Sequence, residues 1–417
     1  TDFGPTFRNY DPEFRDAAKK KIEDMGGMYQ TVLNASPNGH PVSANWPGGE
    51  DFFGTPDQIK LQSIAGASVA RNIAKNHQKT VVWCHDTFYI FTPIYGTFQN
   101  NDESVQWIRV VHSTTLKHDQ EPVDPEKIGA EFASFYWAKR FPNVHIGTIS
   151  AFVSDHLVAD YAADPETIIP TGNGVDPLDA KYRIRTQEEC EAKVEEYNAK
   201  LRAEGKERYV IPKDKKIILQ FGRPVPYKRM EVTFDVVKEL GDDYQAVVVS
   251  LGPAPYLEEA ADKVGKNCTV INAFDFDLCA CISQLNLWVA IPILAKGEPF
   301  GLIPAEIRLL IRKGGGLLIV PEDGGGLREQ VKDGINGFVA AEATGSSVAE
   351  VVRKIESMSA DQKNAIRSAG VSTVFEGGYT WAGRILETLS AVVPEVKEVS
   401  KEVLAEISAE ERAHIGG

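Results

Sequence analysis

No apolar stretch in this sequence reaches the ~18–20 consecutive residues that a membrane-spanning helix requires, so a transmembrane reading is excluded. The opening residues, Thr1-Asp2-Phe3-Gly4-Pro5, lack the charged segment and apolar core of a secretory signal. Basic clusters are scarce too. Against 59 acidic residues stand 45 Lys and Arg, for a net charge of −14. The tight run Lys19-Lys20-Lys21 is flanked by Asp16, Glu23 and Asp24 and reads as a solvated helix face. Phosphate backbones and anionic lipid head groups both need clustered Lys and Arg, so neither nucleic acid nor a membrane is an expected partner. The five cysteines are odd in number and lack zinc spacing. They read as reduced, buried thiols of a cytoplasmic protein. Neither Gly-x-Ser-x-Gly nor His-Glu-x-x-His occurs, which removes support for serine-hydrolase and zinc-protease readings.

What is present is a chain of 417 residues with ordinary globular composition. At ~100–200 residues per domain, that length implies two or three domains. The segment 11–25 suits a helix, and 28–55, rich in Pro, Gly and Asn, reads as loop. A helix is expected over 59–75, then strands at 80–84, 108–111, 144–149 and 168–170, with helices at 126–140 and 151–161. A charged helical segment over 179–205 reads as a connection. Alternation restarts with strands at 217–221, 246–250, 269–271, 287–293 and 317–320, separated by helices at 231–240, 256–264, 278–285, 303–313 and 327–332. Short strands alternating with helices predict parallel sheets covered on both faces. Two such blocks joined near 178 predict two doubly wound domains, with a ligand cleft at the carboxyl ends of their strands. His85, His112 and Asn173 each follow a strand and belong at that edge.

The segment Lys296 to Glu306 carries two carboxylates, Glu298 and Glu306, across a strand-to-helix turn. Pro304 suits a first helical turn, and the amides from Phe300 to Ile303 are placed to hold a polyhydroxylated or anionic ligand. An isolated pair of this kind would read as solvated glutamates near a helix dipole. Here Phe221-Gly222-Arg223-Pro224-Val225-Pro226-Tyr227-Lys228-Arg229 precedes it in the same domain. Gly222 permits close backbone approach, and Arg223 with Lys228 suits a diphosphate. Further on, Asp323-Gly324-Gly325-Gly326-Leu327-Arg328-Glu329 is a glycine-rich turn opening a helix, where amides can face a ligand.

Taken in order, these segments resemble the retaining glycosyltransferases of family 4, the group of sucrose-phosphate synthase, related to glycogen synthase. The resemblance spans about residues 80–390. It includes Thr148-Ile149-Ser150, Asn173-Gly174-Val175-Asp176, the strand end Val110-Val111-His112 and Tyr379-Thr380-Trp381. It implies the GT-B architecture: α/β, with two doubly wound, Rossmann-like domains facing each other across a cleft. Residues 1–178 would bind the acceptor, 179–380 the donor, and a helix over about 381–417 would return to the first domain. Arg223 and Lys228 would neutralise the departing nucleotide diphosphate. Glu306 would accept hydrogen bonds from the ribose, while Glu298 and the amides of Phe300, Gly301 and Leu302 would hold the donor sugar. Gly222 and Asn173 would line the donor site, and His112 would contact the sugar from the first domain. His85 and Asp86 could polarise an acceptor hydroxyl or make an ordinary strand-end hydrogen bond. The co-substrate implied is a nucleotide sugar such as UDP-glucose or GDP-mannose, with no metal and no other cofactor.

The sequence departs from that family in four places. No counterpart of the family's first strand and glycine-rich loop precedes residue 80, through truncation or divergence. Lys296-Gly297 stands where Ser or Thr is frequent, the stretch from Trp46 to Thr55 has no counterpart, and Asn286-Leu287-Trp288 replaces an acidic residue. Residues 1–178 carry 14 Lys and Arg against 22 Asp and Glu, which favours a soluble acceptor. Two rival readings share the donor site: a sugar-nucleotide epimerase, and a non-catalytic nucleotide-sugar-binding protein. Asp275-Phe276-Asp277 reads as a helix start with Asp277 as N-cap, not as a metal–diphosphate motif. Cys279 and Cys281 are assigned to the core.

Overall fold

A computed structural model describes residues 12–27, 56–98, 101–118, 124–285 and 290–415. The stretch from Trp46 to Thr55 and the segment Asn286-Leu287-Trp288 lie outside the described residues. The chain forms two compact units, 1–149 with 153–171, and 150–152 with 172–417. Each is a Rossmann-like α/β domain built on a parallel sheet.

In the first unit, strands β1 (Thr80–His85), β2 (Val105–Val111), β3 (Val144–Thr148) and β4 (Ile168–Pro170) lie side by side in chain order. The register pairs His85 with Val110 and Val111 with Thr148, which aligns the carboxyl ends of β1, β2 and β3. Helices Pro56–Ala74 and Pro125–Ala138 agree with the apolar periodicity that predicts them. Strand β2 begins three residues before the expected Ile108. Val105 and Trp107 are both buried, and the polar Gln106 between them masks the strand in the sequence. The core holds one buried acid. Glu131 accepts hydrogen bonds from the Thr115 amide at 3.1 Å and from the hydroxyls of Thr115 and Tyr161. Buried carboxylates persist where several donors satisfy them in this way.

In the second unit, β5 (Lys216–Gly222), β6 (Tyr244–Ser250), β7 (Cys268–Ile271), β8 (Ala290–Pro292), β9 (Leu317–Pro321) and β10 (Phe338–Ala340) form a six-stranded parallel sheet. Their order is β10-β9-β8-β5-β6-β7. Strand β5 starts in the middle, the chain winds outward through β6 and β7, and it returns to the other side of β5 as β8. The winding therefore reverses between β5 and β8, the position where ligands bind in open α/β sheets. Alternation along β5 explains why both faces are covered. Ile217, Leu219 and Phe221 pack against helices Gln187–Ala203 and Phe276–Gln284, whereas Ile218 packs on the opposite face with helices Val232–Leu240 and Gly345–Ser357. Among the described residues the first sheet shows no such reversal.

The sequence reading places the boundary near 178 and returns 381–417 to the first domain. The structure groups 172–417 in one unit. Val175 forms a parallel bridge with Thr380, and its amide and carbonyl bond Tyr379 and Trp381 at 2.9 and 3.0 Å. Ile415 packs in a core cluster with Val374 and Phe375. No helix among the described residues is long and apolar enough to cross a membrane.

Candidate functional site

Strand β5 ends at Gly222, and the chain turns through a short 3-10 segment, Pro226–Lys228, before its next helix. That turn directs three cations differently. Lys228 is ion-paired with Glu298, each side chain less than one-sixth exposed. Arg229, in the left-handed conformation at φ 48°, forms a two-pronged pair with Asp323 at 2.6 and 3.0 Å and donates to the Leu294 carbonyl at 2.8 Å. Arg223 is exposed and donates to the Tyr227 hydroxyl at 3.3 Å. The three bases therefore have separate roles. Lys228 and Arg229 hold the loop to the two segments that follow β8 and β9, and Arg223 is the one directed to solvent.

The loop after β8 carries Glu298 and leads into helix Ile303–Leu310. Leu302 caps that helix without a side-chain bond. The amides of Phe300, Gly301, Leu302 and Ile303 find no carbonyl partner among the described residues. Open amides at a helix start attract oxygen-rich, electron-rich ligands. The glycine-rich turn fixes this loop from behind. The Gly326 amide donates to the Glu298 carbonyl at 2.7 Å, and the Gly297 amide donates to the Asp323 carbonyl at 2.9 Å. Only glycine fits at 301 and 326. Gly301 has φ 76° and a Cβ there would lie 2.3 Å from Leu327, while one at Gly326 would lie 2.4 Å from the Pro299 carbonyl oxygen. Phe300 contributes its backbone alone, because its ring is buried against Tyr379, with centroids 5.9 Å apart.

Glu306 sits in the first turn of the same helix. Its Oε1 accepts from Lys181 Nζ at 3.2 Å and from the Tyr182 hydroxyl at 3.1 Å. Burial, reinforced by the charge of Glu306, pushes the Tyr182 phenol far above its ordinary value, so it stays a donor. Gly222, Arg223, Lys228, Glu298, Phe300, Gly301 and Leu302 thus lie at the carboxyl end of β5 or in the loops that follow β5 and β8, and Glu306 lies in the first turn of the helix after β8. Asn173 is half-buried in the segment tied by backbone to Tyr379 and Trp381.

In the first unit, the structure joins two residues that the sequence had assigned separately. His85 Nδ1 and His112 Nε2 are 3.1 Å apart, at the ends of adjacent strands, with rings stacked at 5.4 Å. Desolvation by the packed strand ends and the neighbouring His112 lower the pKa of His85 to about 4, although the residue is exposed on one side, and desolvation lowers half-buried His112 against the pull of Asp86. Asp86 itself has φ 55°, a strained conformation for a non-glycine residue and one that clusters at functional sites. A cavity of about 450 Å³ beside Arg71, Asp102 and Trp107 opens near the start of β2, away from this edge.

Asp275, not Asp277, is the N-cap of helix Phe276–Gln284, accepting from the Leu278 amide at 3.0 Å. Asp277 instead pairs with the nearly buried Arg185. The helix starts two residues earlier than the apolar pattern predicts, which places Asp277 inside its first turn. Cys279 and Cys281 are buried in the core as expected. Sequence reasoning missed Lys181 and Tyr182, which lie in a segment read as a charged connection. It also missed Gln330, whose buried amide donates to the Phe300 and Gly301 carbonyls at 2.7 and 3.0 Å.

Residues 202–370 match the family model described as Glycosyl transferases group 1. The fold is that of the GT-B glycosyltransferases. A glycosyltransferase from Rickettsia africae aligns over 92% of this chain and 87% of its own, with 16% identity and a TM-score of 0.59. The sucrose-phosphate synthase of Thermosynechococcus elongatus aligns over 96% of this chain and 95% of its own, at 14% identity and a TM-score of 0.60. Anabaena HepE, solved in complex with UDP and glucose, aligns over 89% and 88%, at 15% identity and a TM-score of 0.58. No curated protein matches by sequence.

Proposed function

We propose that this protein is a retaining glycosyltransferase that moves a hexose from a nucleotide-diphosphate sugar to a hydroxyl of a soluble acceptor, forming an α-glycosidic bond. The observation that carries the reading is the Lys228–Glu298 pair beside exposed Arg223, where the winding of the second sheet reverses. A departing diphosphate gains negative charge as its bond to the sugar breaks. Fixed cations aimed at that charge lower the barrier without reorganising. Arg223 and Lys228 take this role, Glu298 and the open amides of 300–302 hold the sugar hydroxyls, and Glu306 accepts from the ribose. Attack comes from the face the diphosphate leaves. The bond from C1 to the phosphate oxygen breaks, the bond from C1 to the acceptor oxygen forms, and the acceptor's proton passes to the departing phosphate. This route needs no protein nucleophile, unlike a retaining hydrolase. It also assigns no step to a metal or other cofactor. The first unit, with His85, Asp86 and His112 at its sheet edge, supplies the acceptor side and a sugar contact. HepE's complex with UDP and glucose supports a donor of the same chemical kind.

The test is a binding and turnover panel of UDP-, GDP-, ADP- and dTDP-linked sugars, with and without acceptor hydroxyls. Transfer that depends on an acceptor and retains the anomeric configuration is the expected result. A new sugar nucleotide appearing without acceptor would identify an epimerase. Binding without any turnover would identify a pseudo-transferase.

A further inference from the structure

Glu306 is held by two residues from one short turn. The 3-10 turn Ala180–Tyr182 is fixed at its amino end by Asp179, which accepts from the Lys181 amide at 2.9 Å. Two arginines hold its carbonyls: Arg185 donates to Lys181 at 3.3 Å and Arg312 to Tyr182 at 2.6 Å. Tyr182 is buried and has little freedom to move. Lys181 reaches past it, with its ammonium 4.8 Å from the Tyr182 ring centroid and 5.2 Å from that of Phe276. Those ring faces stabilise a cation without competing for its hydrogen bonds. Both donors meet the same oxygen, Oε1 of Glu306. A carboxylate oxygen offers two lone-pair sites, so Oε1 is filled and Oε2 remains for a ligand.

We infer that Lys181 is a positioning residue, which with Tyr182 locks the Glu306 carboxylate so that its free oxygen meets a vicinal diol on the ligand. The inference rests on the reading of Glu306 as the acceptor from a ribose. It makes Lys181 a determinant of selection for a ribonucleotide over its deoxy form. The ammonium need not touch the nucleotide. It restricts the carboxylate to the rotamer that presents Oε2, so removing it weakens those ligands that use the diol.

The experiment is calorimetric titration of UDP, GDP and ADP into wild type, followed by the 2′-deoxy form of whichever binds best. Wild type is expected to prefer the ribonucleotide. Lys181→Met should raise the Kd for the ribonucleotide by about tenfold and leave that for the deoxy form within about twofold. Lys181→Arg, which keeps the cation, should retain the preference. Thermal unfolding of each variant checks that the fold persists, and Lys181 is exposed enough to be replaced without opening the core. An unchanged or tighter ribonucleotide Kd in Lys181→Met would overturn the inference, since the lysine would then be neutral or a competitor. Equal losses for both forms would overturn it too, because they mark a general structural effect. Glu306→Ala separates the two levels of the argument. If it abolishes the preference while Lys181→Met does not, only the positioning role fails. If it binds both forms like wild type, the donor-site reading itself fails.

Discussion

The carboxyl edges of the two sheets are built on opposite electrostatic plans. At the first, two histidines share one hydrogen bond, and desolvation at the packed strand ends holds both toward the neutral form. At the second, the ionisable groups are arranged as opposed charges: Lys228 with Glu298, Lys181 with Glu306, Arg229 with Asp323. A neutral imidazole pair can pass or hold a proton beside a polar substrate. Charges already held in place by their partners can meet a highly charged one without reorganising. The comparison teaches that the two edges suit different chemistries, and it supports the proposal of a hydroxyl-bearing ligand at the first and a diphosphate with its ribose at the second.

The largest expected effect comes from breaking the part-buried pair. Lys228→Ala leaves Glu298 without its cation and removes the positive charge proposed to neutralise the departing diphosphate. Turnover should fall by about 10²–10³-fold, the usual cost of one preorganised donor at developing charge. Arg223→Ala, whose guanidinium is already in solvent, should lower turnover by a smaller factor with little change in melting temperature. Steady-state kinetics beside thermal unfolding checks both. Equal losses in the two variants would erase the distinction between the engaged and the solvent-facing cation.

Next in size is a pH effect at the first edge. The folded pKa of His85, about 4, lies below its ordinary value of 6.5. The unfolded chain therefore binds a proton through this window that the native state does not. By linkage, native stability falls as pH drops from about 6.5 toward 4, and this contribution levels off below. His85→Gln keeps a polar side chain but cannot titrate, so its stability should vary less over that range. Nuclear magnetic resonance titration of the imidazole should find His85 still neutral at pH 5.5. A midpoint near 6.5 would show that the edge is as solvated as an ordinary surface and would remove the contrast with the second unit.

Much of this plan is legible in the chain. The strands and the helices around the second sheet follow from short β-branched runs and apolar periodicity. The cluster at 222, 223, 228, 298 and 306 follows from charged and glycine residues placed just after strands. What stays hidden involves partners far apart in sequence. Lys181 meets Glu306 across 125 positions, and nothing in the local composition of the turn announces it. His85 and His112 each end a strand, yet only the parallel register of β1 and β2 makes them neighbours. Strand β10, Phe338–Ala340, is not among the strands read from the sequence, since the glycine-rich turn before it reads as loop. The N-cap at 275 shows the opposite failure. Two aspartates in alternate positions offer equally good caps by type, and in the structure Asp275 caps the helix while Asp277 pairs with Arg185.

The smallest expected effect tests whether pairing by itself matters at the second edge. Arg229 and Asp323 form a geometrically good pair, but the aspartate side chain is nearly half exposed. Solvent screens such pairs, and their measured worth is typically ~0.2–1 kcal/mol. Asp323→Asn should therefore lower stability by no more than about 1 kcal/mol. The loss should shrink further in 0.5 M salt, because ions screen exposed charges over a few ångströms. Turnover should change little, since Arg229 also donates to the Leu294 carbonyl and keeps its place. Chemical denaturation at low and high salt measures the difference. A loss as large as that of Lys228→Ala, and insensitive to salt, would mean that the Asp323 turn is itself a buried anchor of the site. The charges of the second edge would then act as one coupled network and not as separate pairs.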